Sequence, residues 1–200
     1  LTVELPPTPA FTSTRNSIVT LGSSSVHITG GIGYKQAFFA VTDYSTVSAT
    51  NVYFHSAAPP GSQVALLDLE QGGVSRSSIE FHACRFSGEF GANVFTIDVS
   101  TTNVTFSASE FASIRSTKTQ ETGDASAIIY SSAVLRTGLD RTPNVLIEGC
   151  TFRDNNVTAL FVATGGSVSV SQTSFFGNVP RARINSTNAA RNVSVAVVES

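Results

Sequence analysis

The feature that most limits this chain is a repeat. Seven four-residue segments share one pattern: Ser25-Val26-His27-Ile28, Asn51-Val52-Tyr53-Phe54, Ser78-Ile79-Glu80-Phe81, Asn103-Val104-Thr105-Phe106, Asn144-Val145-Leu146-Ile147, Ser167-Val168-Ser169-Val170 and Asn192-Val193-Ser194-Val195. Each reads small polar, β-branched apolar, variable, apolar. Counting between the β-branched anchors gives steps of 26, 27, 25, 41, 23 and 25 residues. A fixed period with one long step is what stacked structural units leave in a sequence.

The same spacing carries further columns. Five positions past the anchor stand Ala57, Cys84, Ser109, Cys150 and Thr173, and seven past it Phe86, Phe111, Phe152 and Phe175. A second apolar stretch follows in most units: Phe38–Val41, Val64–Leu69, Val94–Val99, Ala127–Tyr130 and Ala159–Ala163. Short strands with period-2 alternation, separated by Gly, Ser, Asn and Pro, account for this. One such unit cannot bury its apolar face alone. Units stacked about 4.8 Å apart pair along parallel ladders, share one core and place like residues over like. The expected fold is therefore all-β, a right-handed parallel β-helix of about seven rungs. It forms one domain over 1–200: an extended segment at 1–19, rungs over 20–200 and a loop insertion at 113–143 in the fourth rung. A β-sandwich would also use evenly spaced strands, but it does not require a column of Phe.

Composition narrows the function classes. Only 13% of residues are charged, and the formal net charge is −2, so nucleic acid and anionic membranes have no electrostatic footprint to bind. Ser and Thr make up about a quarter of the chain. That hydroxyl-rich, charge-poor surface suits an extracellular or cell-surface protein. No run approaches the roughly 20 apolar residues of a spanning helix, so membrane insertion is not expected.

The segment Val145-Leu146-Ile147-Glu148-Gly149-Cys150-Thr151-Phe152-Arg153-Asp154-Asn155, followed by Val168 and Phe175-Phe176-Gly177-Asn178, resembles the pectin-lyase-like right-handed β-helix repeat. The Phe-x-x-Asn endings are also similar to those of polymorphic outer-membrane proteins. Phe86 and Phe111 depart from that pattern, having no Asn three residues on, and no Gly-Gly-Ala-Ile occurs. The resemblance implies the fold; it extends to lyases, hydrolases, adhesins and structural proteins alike.

Several residues are candidates for chemistry. In a strand whose anchor points inward, His27, His55 and His82 point outward. His55 and His82, with Glu80 beside them, form a candidate transition-metal or acid–base set; a solvated polar face is the plainer account. Asp68 and Asp98 stand at matching places in the second strand, where stacked carboxylates would hold Ca2+ or act as the acid pair of a glycoside hydrolase. Neither an Asn-Thr-Asp nor an Asp-Asp constellation accompanies them, and no other cofactor is expected. Cys84 and Cys150 share a column with Ser109 between them. That puts them nearly 10 Å apart, too far for a disulfide, so both are expected to be free. Asn103, Asn156, Asn185 and Asn192 begin glycosylation sequons; Asn156 and Asn185 are expected in loops, whereas Asn103 and Asn192 are placed to hydrogen-bond between rungs. The stretch 113–143 carries seven charges, Arg115, Lys118, Glu121, Asp124, Arg136, Asp140 and Arg141, and is expected to project as a binding or merely solvated loop.

The stack's ends bear on partners. Val193–Val198 is an apolar strand and Leu1–Thr14 a Pro-interrupted extended segment, so self-association through open ends, as in a filament, is one expectation. Three functions follow: an extracellular structural or adhesive surface protein, a polysaccharide lyase or hydrolase built on Asp68 and Asp98, and a non-catalytic glycan-binding module using Tyr53 and Tyr130.

Overall fold

The computed structural model describes residues 2–5, 11–13, 17–30, 35–41, 44–59, 62–69, 77–91, 93–97, 103–116, 127–131, 144–163, 167–179, 182–186 and 194–198. Among these there are only strands, turns and bends, and every strand pair is parallel. The strands form two sheets. The larger is built from two columns. One column holds β7 (Ser78–His82), β10 (Asn103–Ser107), β13 (Asn144–Glu148), β16 (Ser167–Ser171) and β19 (Ser194–Val198). The other holds β8 (Arg85–Phe90), β11 (Glu110–Ser116), β14 (Thr151–Arg153) and β17 (Ser174–Phe176). Two long strands, β3 (Ile18–Gly30) and β5 (Thr46–Ala57), run through both columns and join them, and β1 (Thr2–Leu5) pairs with β3. The second sheet stacks β2 (Phe11–Ser13), β4 (Lys35–Val41), β6 (Gln63–Asp68), β9 (Phe95–Ile97), β12 (Ala127–Ser131), β15 (Ala159–Ala163) and β18 (Ala182–Ser186). A chain that visits the same two sheets in the same order, pairing in parallel each time, is a β-solenoid.

One backbone conformation makes the corner between the two columns. Ser23, Asn51, Ala83, Ala108, Gly149 and Gln172 all have positive φ, from 33° to 60°. The ladders place them at successive levels, since Thr50 pairs with His82 and Tyr53 with Arg85 on either side of Asn51 and Ala83. A single left-handed residue turns the strand sharply while the ladder continues beyond it: Ala83 N–H donates to Ser107 O at 2.9 Å, and Ala108 N–H to Glu148 O at 3.0 Å.

The interior explains the aromatic columns. Phe54, Phe86, Phe111, Phe152 and Phe175 follow one another along the second column. Their rings are stacked, with centroids 5.5, 4.9, 4.3 and 5.2 Å apart. Phe81 and Phe106 stack likewise in the first column at 5.3 Å. Phe39, Phe95 and Phe161 of the second sheet meet these rings edge-on or tilted. Burial contributes roughly 1.5–3 kcal/mol per Phe, and each good ring pair about 0.5–1.5 kcal/mol more, so these ladders dominate cohesion.

The Phe-x-x-Asn endings also find a cause. At the second corner Asn155, wholly buried, accepts a hydrogen bond from Ile114 N–H and donates to Phe111 O, both at 2.9 Å. Asn178 repeats the motif one level on, donating to Phe152 O at 2.8 Å and accepting from Asn155 Nδ2 at 2.8 Å. Each Asn thus satisfies backbone groups of the previous rung, at the bulge between Phe111 and Ile114 in β11 and at the end of β14. The Phe111 unit has no Asn of its own, yet its corner is served by Asn155.

The register corrects the first two repeats and the last. Ile79, Val104, Val145 and Val168 do stack, but the residue at their level in β5 is Val47, and in β19 it is Val195 rather than Val193. Val52 instead lies past the left-handed corner, above Cys84, and Val26 pairs with Phe54. Ala57 pairs with Glu89 and is not in the cysteine column. The reason is that both columns alternate with period 2, so the same four-letter pattern fits on either side of the corner. The stretch 113–143 is not one loop either. It includes the end of β11, and β12 pairs with β9 and β15 in the second sheet. Its remaining parts, 117–126 and 132–143, lie outside the described residues.

Candidate functional site

Outward residues of the second column converge beside the corner. Tyr53, His55, Arg85, Ser87, Glu89 and Arg115 line an open concavity of about 480 Å³. A second concavity, about 500 Å³, shares Tyr53 and Arg85 and continues over Ser23, Ser25 and Asn51. Strand alternation explains the gathering: Phe54 and Phe86 point inward, so Tyr53, His55, Arg85 and Ser87 must point out.

The floor is a compact hydrogen-bonded group. Ser87 Oγ lies 2.9 Å from both Tyr53 Oη and His55 Nδ1, and Tyr53 Oη is 3.4 Å from His55 Nδ1. The Arg85 guanidinium sits 5.4 Å from the Tyr53 ring centre, a cation–π contact. Arg85 Nε also meets Glu110 at 3.1 Å, and Glu110 bonds Arg153 on its other side. Arg153 reaches Asp154 at 3.3 Å. The hydrogen bond to Glu110 is the main cause that holds the Arg153 pKa above its ordinary value, and the charges of Glu110 and Asp154 add to it. The result is a polar ladder, Tyr53–Arg85–Glu110–Arg153, spanning four rungs. It offers an aromatic ring, guanidinium donors and hydroxyls to a ligand, and its partners fix those groups before any ligand arrives.

The structure rearranges the groups singled out in the sequence. His55 and His82 do not stack: His55 pairs with His27 on one side and Ser87 on the other, whereas His82 pairs with Thr50 and Ser107 in the first column. His82 Nδ1 is 2.9 Å from Ser107 Oγ, and Glu80 accepts from Ser78 Oγ at 3.3 Å. The set His55, His82 and Glu80 is therefore divided between two columns, again because of the misplaced anchor at Val52. No group of three or more His, Cys, Asp or Glu among the described residues could hold a metal.

Of the acidic pair, Asp68 pairs with Thr96 across β6 and β9. Asp98 itself lies outside the described residues. Tyr130 pairs with Thr96 and Val162, both buried, and is half-buried itself, not the exposed platform expected of it.

Cys84 and Cys150 are free and buried, with Ser109 between them: Cys84 N–H donates to Ser109 Oγ at 3.0 Å. Burial pushes both thiols above their ordinary pKa, against the lowering effect of backbone hydrogen bonds. Asn103 joins a ladder on the outer face, accepting from Asn144 Nδ2 at 3.3 Å, while Asn144 accepts from Ser167 Oγ at 2.5 Å. Asn156 is exposed at an isolated bridge with Arg115. Asn185 falls in strand β18 rather than a loop, and Asn192 lies outside the described residues. Sequence reasoning missed Ser87, Arg85 and Glu110, which carry no motif and gain meaning only through the ladder.

A parallel solenoid with a polar ladder and an open groove on one outer face defines the class: a β-helix of the pectin-lyase-like type. A family profile described as right handed beta helix region matches residues 37–197, and the chain belongs to that family. No curated protein matches the chain. Members of such a family include both enzymes and surface proteins, so the fold defines the scaffold and leaves the role to the site.

Proposed function

We propose that the chain is a non-catalytic, glycan-binding β-helix with an adhesive role at a cell surface or outside the cell. The observation that carries this reading is the pair of adjoining concavities sharing Tyr53 and Arg85. Saccharides present hydroxyls on a weakly apolar ring, which an aromatic ring, guanidinium donors, Ser hydroxyls and a His together match. A groove crossing several rungs suits a linear chain of sugar units better than a small compact ligand.

A glycan array spanning neutral, uronate and sulfated oligosaccharides tests the proposal. Binding to at least one class is expected, and Tyr53→Ala and Arg85→Ala should each weaken it about tenfold or more. An array without signal, or binding that neither variant changes, would refute it.

A further inference from the structure

The register that separates His55 from His82 brings His55 against a different partner. His27 and His55 are direct cross-strand neighbours on β3 and β5, with ring centroids 5.8 Å apart and planes inclined at 69°. A metal ion held by two imidazoles at about 2.0–2.1 Å from each nitrogen sits ~3.2 Å from each ring centre. The two centres are then ~5.2 Å apart at a tetrahedral angle and ~6.4 Å apart in a linear arrangement. The observed separation falls between these limits.

A second observation points the same way. His55 Nδ1 faces Ser87 Oγ at 2.9 Å, and Ser87 Oγ is 2.9 Å from Tyr53 Oη. With its proton on Nδ1, the ring donates to Ser87 and keeps its lone pair on Nε2. Metal-binding histidines are oriented in this way by a hydrogen bond to the other ring nitrogen. His27 is exposed and His55 half-buried, so an ion can reach both. The surroundings are tolerant of a cation: Thr2 pairs with His27 on its other side, the Tyr53 ring lies 6.4 Å from His27, and Arg85 has Glu110 against it. Glu89 and Arg115 line the same concavity and pair across strands β8 and β11.

We propose that His27 and His55 form a two-histidine site for a divalent transition ion, Cu2+ most tightly and then Zn2+ or Ni2+, with the remaining positions open to water. Imidazole ligands favour these ions, and the order follows their general preference for nitrogen donors. This site shares His55 with the set His55, His82 and Glu80 but uses neither of the other two, and it does not depend on glycan binding.

The test is titration of the full chain with Cu2+ and with Zn2+ at pH 7.5, followed by electron paramagnetic resonance of the Cu2+ form. One ion per chain and coupling to two nitrogens are expected. His27→Gln and His55→Gln should each lower affinity at least tenfold, and His82→Gln should leave it unchanged. Ser87→Ala, which removes only the orienting hydrogen bond, should cost about tenfold. Far-UV circular dichroism checks that each variant keeps its fold, and exposed His27 provides the variant least able to disturb it. Wild-type affinity in His27→Gln, or an equal loss in His82→Gln, would overturn the proposal.

Discussion

Asn155→Ala should be among the most destabilising changes in a polar residue of this chain. The side chain is wholly buried and makes three bonds: from Ile114 N–H at 2.9 Å, to Phe111 O at 2.9 Å and to Asn178 Oδ1 at 2.8 Å. Alanine leaves the Ile114 N–H and the Phe111 carbonyl without these partners inside the protein, at about 1–3 kcal/mol for each such group. A water admitted to the vacated space would recover part of this, so the net loss is about 3–4 kcal/mol. Urea denaturation followed by circular dichroism measures the total. Hydrogen exchange at the Ile114 amide locates it, because that amide should lose protection while those of β10 and β13 keep theirs. Asn144→Ala, on the exposed ladder, is the control and should change stability by no more than about 0.5 kcal/mol. A loss below about 1 kcal/mol with Ile114 still protected would refute the assignment of Asn155 as the partner of the preceding corner.

Two further outcomes follow from the same geometry. Gly88 has φ +100°, and a Cβ there would stand 2.0 Å from Ser56 O, so Gly88→Ala should cost about 3 kcal/mol or more and disturb the groove; an unchanged denaturation midpoint would contradict this. Burial raises the Cys84 and Cys150 thiols, so both should resist alkylation in the native chain and react on unfolding. Because the native pKa is raised, their contribution to stability is complete below the unfolded thiol value of about 8.5 and is lost as pH rises through the higher native value. The alkaline fall in stability should therefore flatten in Cys84→Ala/Cys150→Ala, and an identical slope in that variant would count against the buried-thiol account.

The parts of the fold legible in the sequence were those fixed by identity within a column. Ile79, Val104, Val145 and Val168, and Phe86, Phe111, Phe152 and Phe175, stack as their spacing requires, because like side chains over like fill a constant cross-section. Where two columns look alike, spacing was not enough. Phe54 follows Val52 just as Phe81 follows Ile79, yet Phe54 belongs with Phe86, because the ladder from β5 to β7 ends at Thr50 and resumes with β8 at Tyr53. That slip alone separated His55 from His82 and hid the pairing of His27 with His55. The groove was less legible still. Arg85 and Glu110 are far apart in sequence and meet only because Cys84 and Ser109 stack beneath them.

The left-handed corner has an evolutionary consequence. Its six occupants are Ser, Asn, Ala, Ala, Gly and Gln, all exposed, and they share nothing except their backbone conformation. The corner demands a torsion and not one side-chain type, and each non-glycine occupant carries a standing strain of about 1–2 kcal/mol. The column is a reserve, since Gly at Ala108 would relieve strain without touching the aromatic interior or either concavity, and so leave room for costlier changes on the binding face.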